Sequence, residues 1–193
     1  MKNIIIFILV ITVFALGGWI VYDKSQPKAS APSGTSTTSQ TESQPNAGNT
    51  LDYSGKGLTS VGPDIYNQTT ATTLLLSNNN IKTLPSQMGK MTNLRVLKLD
   101  HNLLDGSLLG EVRLMPLTTL DVSYNNMTGM PVEIGQLNQL VTLNYSHNKI
   151  TSLPNELANL KNNLKTFDLT GNPLSQSTID NLKAELPNTN IIF

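Results

Sequence analysis

Five asparagines recur along the chain at an almost constant interval. The intervals between them are 23, 23, 23 and 24 residues in a chain of 193. Each asparagine lies near the end of a phrase with the apolar spacing L-x-x-L-x-L-x-x-N-x-L. A fixed period of this size indicates a stack of similar units, because no single unit buries its own apolar face. The five are Asn79, Asn102, Asn125, Asn148 and Asn172.

Each unit contains a strand, a turn and a return segment. The central L-x-L alternates apolar and polar residues, which is typical of a strand with one buried face. Asparagine suits the turn that follows, because its amide offers one acceptor oxygen and two donor hydrogens to backbone groups. A Leu-Pro pair such as Leu153-Pro154 begins the return, since proline fixes φ and lacks a donor. We therefore predict that the five asparagines form a structural ladder.

The repeated phrase resembles the leucine-rich repeat family over Leu51 to Phe193. The opening from Leu51 to Leu58 is similar to the first repeat of bacterial, membrane-anchored members, and Gly171-Asn172-Pro173-Leu174 is similar to their terminal cap. The resemblance implies an α/β solenoid, a right-handed superhelix with a parallel β-sheet on its concave side. About six repeats and a C-terminal cap helix are expected. The repeats lie near residues 50–70, 71–93, 94–116, 117–139 and 140–163, and the cap covers 164–193.

Two places depart from the pattern, and the cap has signals of its own. The repeat after Asn102 contains Gly106 and no Leu-Pro pair, which predicts a different return loop. The last interval is one residue longer, which we attribute to Asn162-Asn163. For the cap helix, Ser175 is the expected N-cap and Pro187 the stop. The apolar face is expected at Ile179, Leu182 and Leu186, and Ile191 to Phe193 are expected to form a final strand or a buried tail.

Composition excludes several classes of function. The chain has 13 basic and 13 acidic residues, so its net charge of zero gives no basic stripe for nucleic acid. It has no cysteine, which excludes disulfides, thiolate metal sites and cysteine nucleophiles. No phosphate-binding glycine loop in a helix-opening context is present. We expect no cofactor and no nucleic-acid partner.

The front of the chain predicts a membrane anchor. Ile4 to Tyr22 form a run of 19 uncharged residues, long enough as a helix to cross a hydrocarbon core of about 30 Å. Trp19 and Tyr22 fall where interfacial aromatic residues are common. We predict an uncleaved, single transmembrane helix over residues 1–24. A cleaved signal peptide and a buried helix are the alternatives, and Ala29-Ser30-Ala31 is a possible cleavage motif.

A polar segment over residues 25–49 follows the anchor. It consists almost wholly of small and polar residues, which predicts a disordered linker, because such a segment does not bury enough apolar surface to fold. An anchor followed by a flexible stalk is the usual build of a displayed module. We expect a single-pass protein of the cell membrane with the repeats outside the cytoplasm. Secretion after signal cleavage and a cytoplasm-facing adaptor remain alternatives.

The concave side of the sheet is the expected binding surface. The polar residues that flank the buried positions of each strand form columns that run across the sheet, with neighbouring strands about 4.8 Å apart. Such an extended surface suits a protein or peptide better than a small metabolite. Some of these side chains also serve only to keep the sheet soluble. The candidate contacts are Arg95, Lys98, Asp100, Asp121, Tyr124, Asn144 and Asp168.

Residue spacing argues against an enzyme or a metal site. His101 and His147 are two strands apart, or about 10 Å, which is too far to share a zinc ion. Asp52, Asp121 and Asp168 are two or three strands apart, too far to act as a pair of carboxylates. We predict a non-enzymatic protein-interaction module on a membrane stalk. The alternative is a structural cell-envelope or polysaccharide-binding component.

Overall fold

A computed structural model describes residues 48–108 and 110–193 of the chain. Within these residues the strands are β1 (Thr50–Asp52), β2 (Thr73–Leu75), β3 (Val96–Lys98), β4 (Asp105–Gly106), β5 (Thr119–Asp121), β6 (Asn126–Met127), β7 (Thr142–Asn144), β8 (Thr166–Asp168) and β9 (Asn190–Ile192). The α-helices are α1 (Pro63–Tyr66) and α2 (Gln176–Glu185). Four 3-10 helices span Ser86–Lys90, Gly110–Leu114, Val132–Gln136 and Asn155–Leu160.

Seven of the strands form one parallel sheet, as predicted. Its order is β1-β2-β3-β5-β7-β8-β9, so each strand pairs with the strand of the next unit. The register matches the period, since Leu74 lies beside Leu97 and Leu97 beside Leu120. All three leucines are fully buried. The middle residue of each strand therefore supplies the core, and the tail predicted as a final strand is β9.

Three Leu-Pro or Met-Pro pairs start the return segments. Pro85, Pro131 and Pro154 are the N-caps of 3-10 helices, and each has an extended backbone with φ between −75 and −72°. That φ is the one the proline ring imposes, and the capping position does not need the missing N–H. Each short helix then buries the apolar side chain at its third position, namely Met88, Ile134 or Leu157, and the last helix also buries Leu160.

The repeat with Gly106 has a different return, as the sequence predicted. Strand β4 pairs in parallel with β6 and forms a second, two-stranded sheet. Gly106 has φ +71°, a left-handed conformation that glycine adopts without steric cost. A 3-10 helix still follows at Gly110–Leu114, so only the entry to the return has changed. A cavity of about 50 Å³ lies beside Leu84, Leu104 and Leu108 at this point.

The extra residue of the last interval lies where the sequence suggested. The 3-10 helix Asn155–Leu160 has six residues, whereas the other three have five. It continues into a turn in which the Leu164 N–H donates to the Leu160 carbonyl at 2.9 Å. The strand that follows, β8, keeps its register with β7. The insertion is thus absorbed in the return and does not reach the sheet.

The buried aromatic residues Tyr145 and Phe167 are the largest fully buried side chains. Both take positions that leucine or valine fills in the other repeats with a ladder asparagine. The Tyr145 hydroxyl has no hydrogen-bond partner within the described part of the chain. Burial raises the pKa of this hydroxyl above the ordinary value for tyrosine. Tyr145 is therefore a packing residue that contacts no external ligand.

The C-terminal cap is formed by α2 and β9, which confirms the predicted cap helix. The Ser175 hydroxyl accepts a hydrogen bond from the Thr178 N–H at 3.2 Å, as an N-cap does. Leu182 and Leu186 are buried under the last repeat. Residues Ile192 and Phe193 remain partly exposed at the end of the sheet.

The predicted anchor and nearly all of the predicted linker lie outside the described residues. The anchor covers residues 1–24, and only Gly48 and Asn49 of the linker fall in the described range. Between residues 48 and 108 and between 110 and 193, no helix has both the length and the apolar character needed to cross a membrane.

Candidate binding surface

The asparagine ladder joins each repeat to its neighbours through backbone groups. The Asn102 oxygen accepts from the Ile81 N–H at 3.0 Å. Its amide nitrogen donates to the carbonyls of Leu76 and Leu99, at 2.9 and 3.0 Å. Because these two residues directly follow the successive strands β2 and β3, the amide bridges two repeats. The same contacts recur at Asn79, Asn125, Asn148 and Asn172.

We call the outward side of the seven-stranded sheet the open sheet face. It carries the first and third residue of each strand, and these are exposed or half-buried. The register places four of the candidate residues side by side on successive strands. They form a continuous row from β3 to β8, namely Lys98, Asp121, Asn144 and Asp168.

Three side chains of that row also accept a hydrogen bond from the turn that follows their own strand. One Asp121 oxygen accepts from the Ser123 N–H at 3.0 Å and from the Ser123 hydroxyl at 2.7 Å. Such a contact fixes the side chain and stabilises the turn after the strand. Strand alternation would place Ser123 and Ser146 on the same side as Asp121 and Asn144, but both serines are buried. Equivalent contacts join Asn144 to the Ser146 N–H and Asp168 to the Thr170 N–H, both at 2.9 Å.

The remaining side chains on the open sheet face differ in how many contacts they form within the chain. Lys98 is exposed, and within the described residues it forms no ion pair. Arg95, just before β3, is exposed and donates a hydrogen bond to the side chain of Gln139, which lies shortly before β7. In the first strand, the Ser54 N–H beside Asp52 holds the pKa of that carboxyl below its ordinary value. Lys98 is thus the candidate with the least internal role.

A column of left-handed residues borders the sheet at the carboxyl ends of the strands. Its members stand directly before the ladder position in successive repeats. The left-handed conformation costs about 1 kcal/mol or more for a residue other than glycine, and it is unusual for a bulky one. The column runs from Gly55 through Asn78 (φ +58°), His101 (+54°), Tyr124 (+52°) and His147 (+53°) to Gly171.

The three rings in this column stack on one another, and we call them the aromatic row. The centroid of Tyr124 lies 4.3 Å from that of His101 and 4.1 Å from that of His147. The ring planes are 13 and 18° apart. Both faces of the tyrosine ring are therefore covered, yet 47% of the residue is exposed. The row continues to Gly171, where an added Cβ would lie 2.8 Å from the His147 ring.

Asp100 is held by its neighbours on both sides. Its carboxylate accepts from the Ser77 hydroxyl and lies 3.1 Å from His101 Nδ1. A serine nucleophile needs a histidine base beside its hydroxyl, whereas here the carboxylate lies between the two. The arrangement is therefore structural. Among the described residues, no group of three metal-ligating side chains is close enough together to hold an ion.

A family model described as leucine rich repeat matches residues 116–174 of the chain. The chain belongs to the leucine-rich repeat family. The matched segment includes β5, β7 and β8 together with three of the five ladder asparagines. Members of this family are typically non-enzymatic binding modules.

Three solved structures are similar to this leucine-rich repeat chain. A leucine-rich repeat protein of Leptospira interrogans is 27% identical over 70% of this chain and 40% of its own, with a TM-score of 0.57. The ectodomain of the Arabidopsis thaliana membrane receptor kinase GASSHO1/SCHENGEN3, in complex with Casparian strip integrity factor 2, is 31% identical. The match covers 68% of this chain and 16% of that ectodomain, with a TM-score of 0.58. An internalin of Listeria monocytogenes shares the fold at 23% identity, with a TM-score of 0.57. The match covers 69% of this chain and 37% of the internalin.

The chain thus spans less than half the length of each of these three structures. None of the curated proteins matches it.

The aromatic row is the feature of this leucine-rich repeat surface that the sequence pattern missed. The sequence pattern places Tyr124 among the candidate contacts and identifies His101 and His147 only as too far apart to share a zinc ion. The signal that identifies the column is at its two ends, where Gly55 and Gly171 stand in the same place. Glycine and asparagine at equivalent positions indicate a left-handed backbone, and rings held there line up on one side.

Proposed function

We propose that this leucine-rich repeat chain is a non-enzymatic module that binds a protein or peptide on its open sheet face. The observation that carries the proposal is the row of polar side chains that runs in register across the strands from Lys98 to Asp168. At about 4.8 Å per strand, seven strands extend over roughly 29 Å. A surface of that length fits a polypeptide better than a metabolite.

The comparisons and the row geometry support a polypeptide ligand over the alternatives. One similar structure is a receptor ectodomain in complex with Casparian strip integrity factor 2. A polysaccharide ligand is usually bound on a free aromatic face, but both faces of Tyr124 are covered. The polysaccharide alternative therefore has less support from this surface.

The membrane part of the proposal comes from the sequence of the first 49 residues. The apolar run from Ile4 to Tyr22 is long enough to anchor the chain, and the polar segment after it would hold the repeats away from the bilayer. The proposed protein is a single-pass membrane protein with its repeats outside the cytoplasm.

The binding proposal predicts that the open sheet face governs peptide capture. A random dodecapeptide library is selected on the full chain, and the enriched peptides are tested on variants. Lys98→Glu combined with Thr142→Lys should lower affinity about ten-fold or more, because both residues lie on the face and change its charge. The matched control is Lys161→Glu, an exposed residue on a return segment. Unchanged affinity in the double variant would place the site elsewhere.

The display proposal predicts that intact cells expose the repeats. A protease added to cells that produce the full chain should remove the repeats, and a cytoplasmic control protein should stay intact. Repeats that resist the protease until the cells are lysed would overturn the orientation. Repeats recovered in the medium with a new N-terminus after residue 24 would favour the secreted alternative.

A further inference from the structure

The aromatic row has properties of a binding anchor beyond the open sheet face. Tyr124 combines a left-handed backbone at φ +52° with 47% exposure. The same backbone conformation recurs at the equivalent position of the other repeats, so the stack imposes it and it fixes where the ring stands. Stacking on both sides also fixes the ring, so less side-chain entropy is lost when a partner binds. Tyrosine is among the residue types most often found as interface anchors.

The charged residues around the aromatic row favour a negatively charged partner. The rim segments run from two residues before to one residue after the ladder position of each repeat, and they contain three charged residues, two lysines and one aspartate. Lys56 and Lys149 are exposed, and in the described part of the chain neither forms an ion pair. The third, Asp100, is only 19% exposed in its side chain and is already bound to Ser77 and His101. The accessible charge of the rim is therefore positive.

The exposed ring edges point to the same chemistry. The face of an aromatic ring is negative and its edge positive, and here the stacking hides the faces and leaves the edges outward. The Tyr124 hydroxyl adds a hydrogen-bond donor at the same place. Carboxylate oxygens complement both features.

We propose that the rim formed by Lys56, the aromatic row and Lys149 binds an acidic segment of the partner protein. This inference rests on the proposed function and names the chemistry of its ligand. Lys56 and Lys149 stand four repeats apart, or about 19 Å, which an extended segment of about six residues spans. The segment therefore carries carboxylates near both ends, with the aromatic row under the half nearer Lys149.

The test uses the same peptide library on the full chain and compares rim variants with sheet variants. The enriched peptides should contain an excess of Asp and Glu over the unselected library. Lys56→Glu combined with Lys149→Glu should lower their affinity about ten-fold or more, and Lys161→Glu should leave it unchanged. Tyr124→Gly should also lower it about ten-fold. The melting temperature of this variant should stay within about 4 °C, because glycine suits φ +52°.

The two histidines give an independent readout, because His101 and His147 are the chain's only ones. Their imidazole NMR signals should shift when an enriched acidic peptide is added, and a peptide with Lys in place of each Asp and Glu should leave them unmoved. An enriched pool without acidic excess, or acidic peptides that bind both rim variants normally, would overturn the inference. Loss of binding in the sheet variant alone would retain the proposed function and reject the rim. If neither the sheet variant nor the rim variants lose affinity, the proposed function and the rim inference are both rejected. A library that yields no enriched peptides would also reject both.

Discussion

Replacing Asn125 by alanine is expected to lower the free energy of unfolding by about 3 kcal/mol. The Asn125 oxygen accepts from the Leu104 N–H at 2.9 Å, and the amide nitrogen donates to the carbonyls of Leu99 and Val122, both at 3.0 Å. All of these groups are buried. Alanine leaves the Leu104 N–H without a partner, and an unpaired buried donor costs about 1–3 kcal/mol.

The loss extends beyond one hydrogen bond because the ladder is shared. The Leu99 carbonyl accepts from both Asn102 and Asn125, and the Val122 carbonyl from both Asn125 and Asn148. Removal of Asn125 therefore weakens contacts of two neighbouring repeats at once. Linked buried hydrogen bonds of this kind contribute more together than single deletions suggest.

Urea unfolding of the full chain measures this effect through its midpoint. The control is Asn126→Ala at the next residue, which is only half-buried and whose side chain forms no hydrogen bond within the described residues. It should change the free energy of unfolding by no more than about 0.5 kcal/mol. If Asn125→Ala unfolds at the same urea concentration as Asn126→Ala, the ladder does not stabilise the stack.

The ladder and the sheet were predictable because the period alone carries the information. Every strand repeats the same alternation, so Leu97 in one repeat implies Leu120 in the next, and the register follows. The asparagines could be placed for a similar reason, because a turn inside a stack needs donors and acceptors that a short amide supplies. Neither step requires knowledge of an individual side-chain conformation.

The details of the surface could not be predicted in the same way. Alternation says which way a strand residue points, but the chain turns after the strand, so Ser123 and Ser146 end up buried. The hydrogen bond from Asp121 to the turn depends on a side-chain torsion that composition does not set. The left-handed backbone at Tyr124 is dictated by the stack against the preference of the residue itself. These departures from local rules coincide with the surface proposed to bind.

Replacing Gly135 by alanine is the second change with a large expected effect, about 3 kcal/mol of lost stability. Gly135 is buried in the 3-10 helix Val132–Gln136. An added Cβ would lie 2.2 Å from the carbonyl oxygen of Glu156 and 2.7 Å from its carbonyl carbon. These atoms belong to the backbone of the next 3-10 helix, so no side-chain rotation relieves the overlap. The two return segments must move apart, and this movement strains the strands that they connect.

The same position two repeats earlier supplies the control. Gly89 is equivalent to Gly135, but a Cβ there would lie 2.9 Å from the Cδ1 atom of Leu114, the end of a partly exposed side chain. Because that side chain is free to rotate away, Gly89→Ala should change the free energy of unfolding by less than about 1 kcal/mol. Thermal and urea unfolding of the two variants measure the difference. Equal stability of the Gly89 and Gly135 variants would mean that the returns are not held at this close spacing.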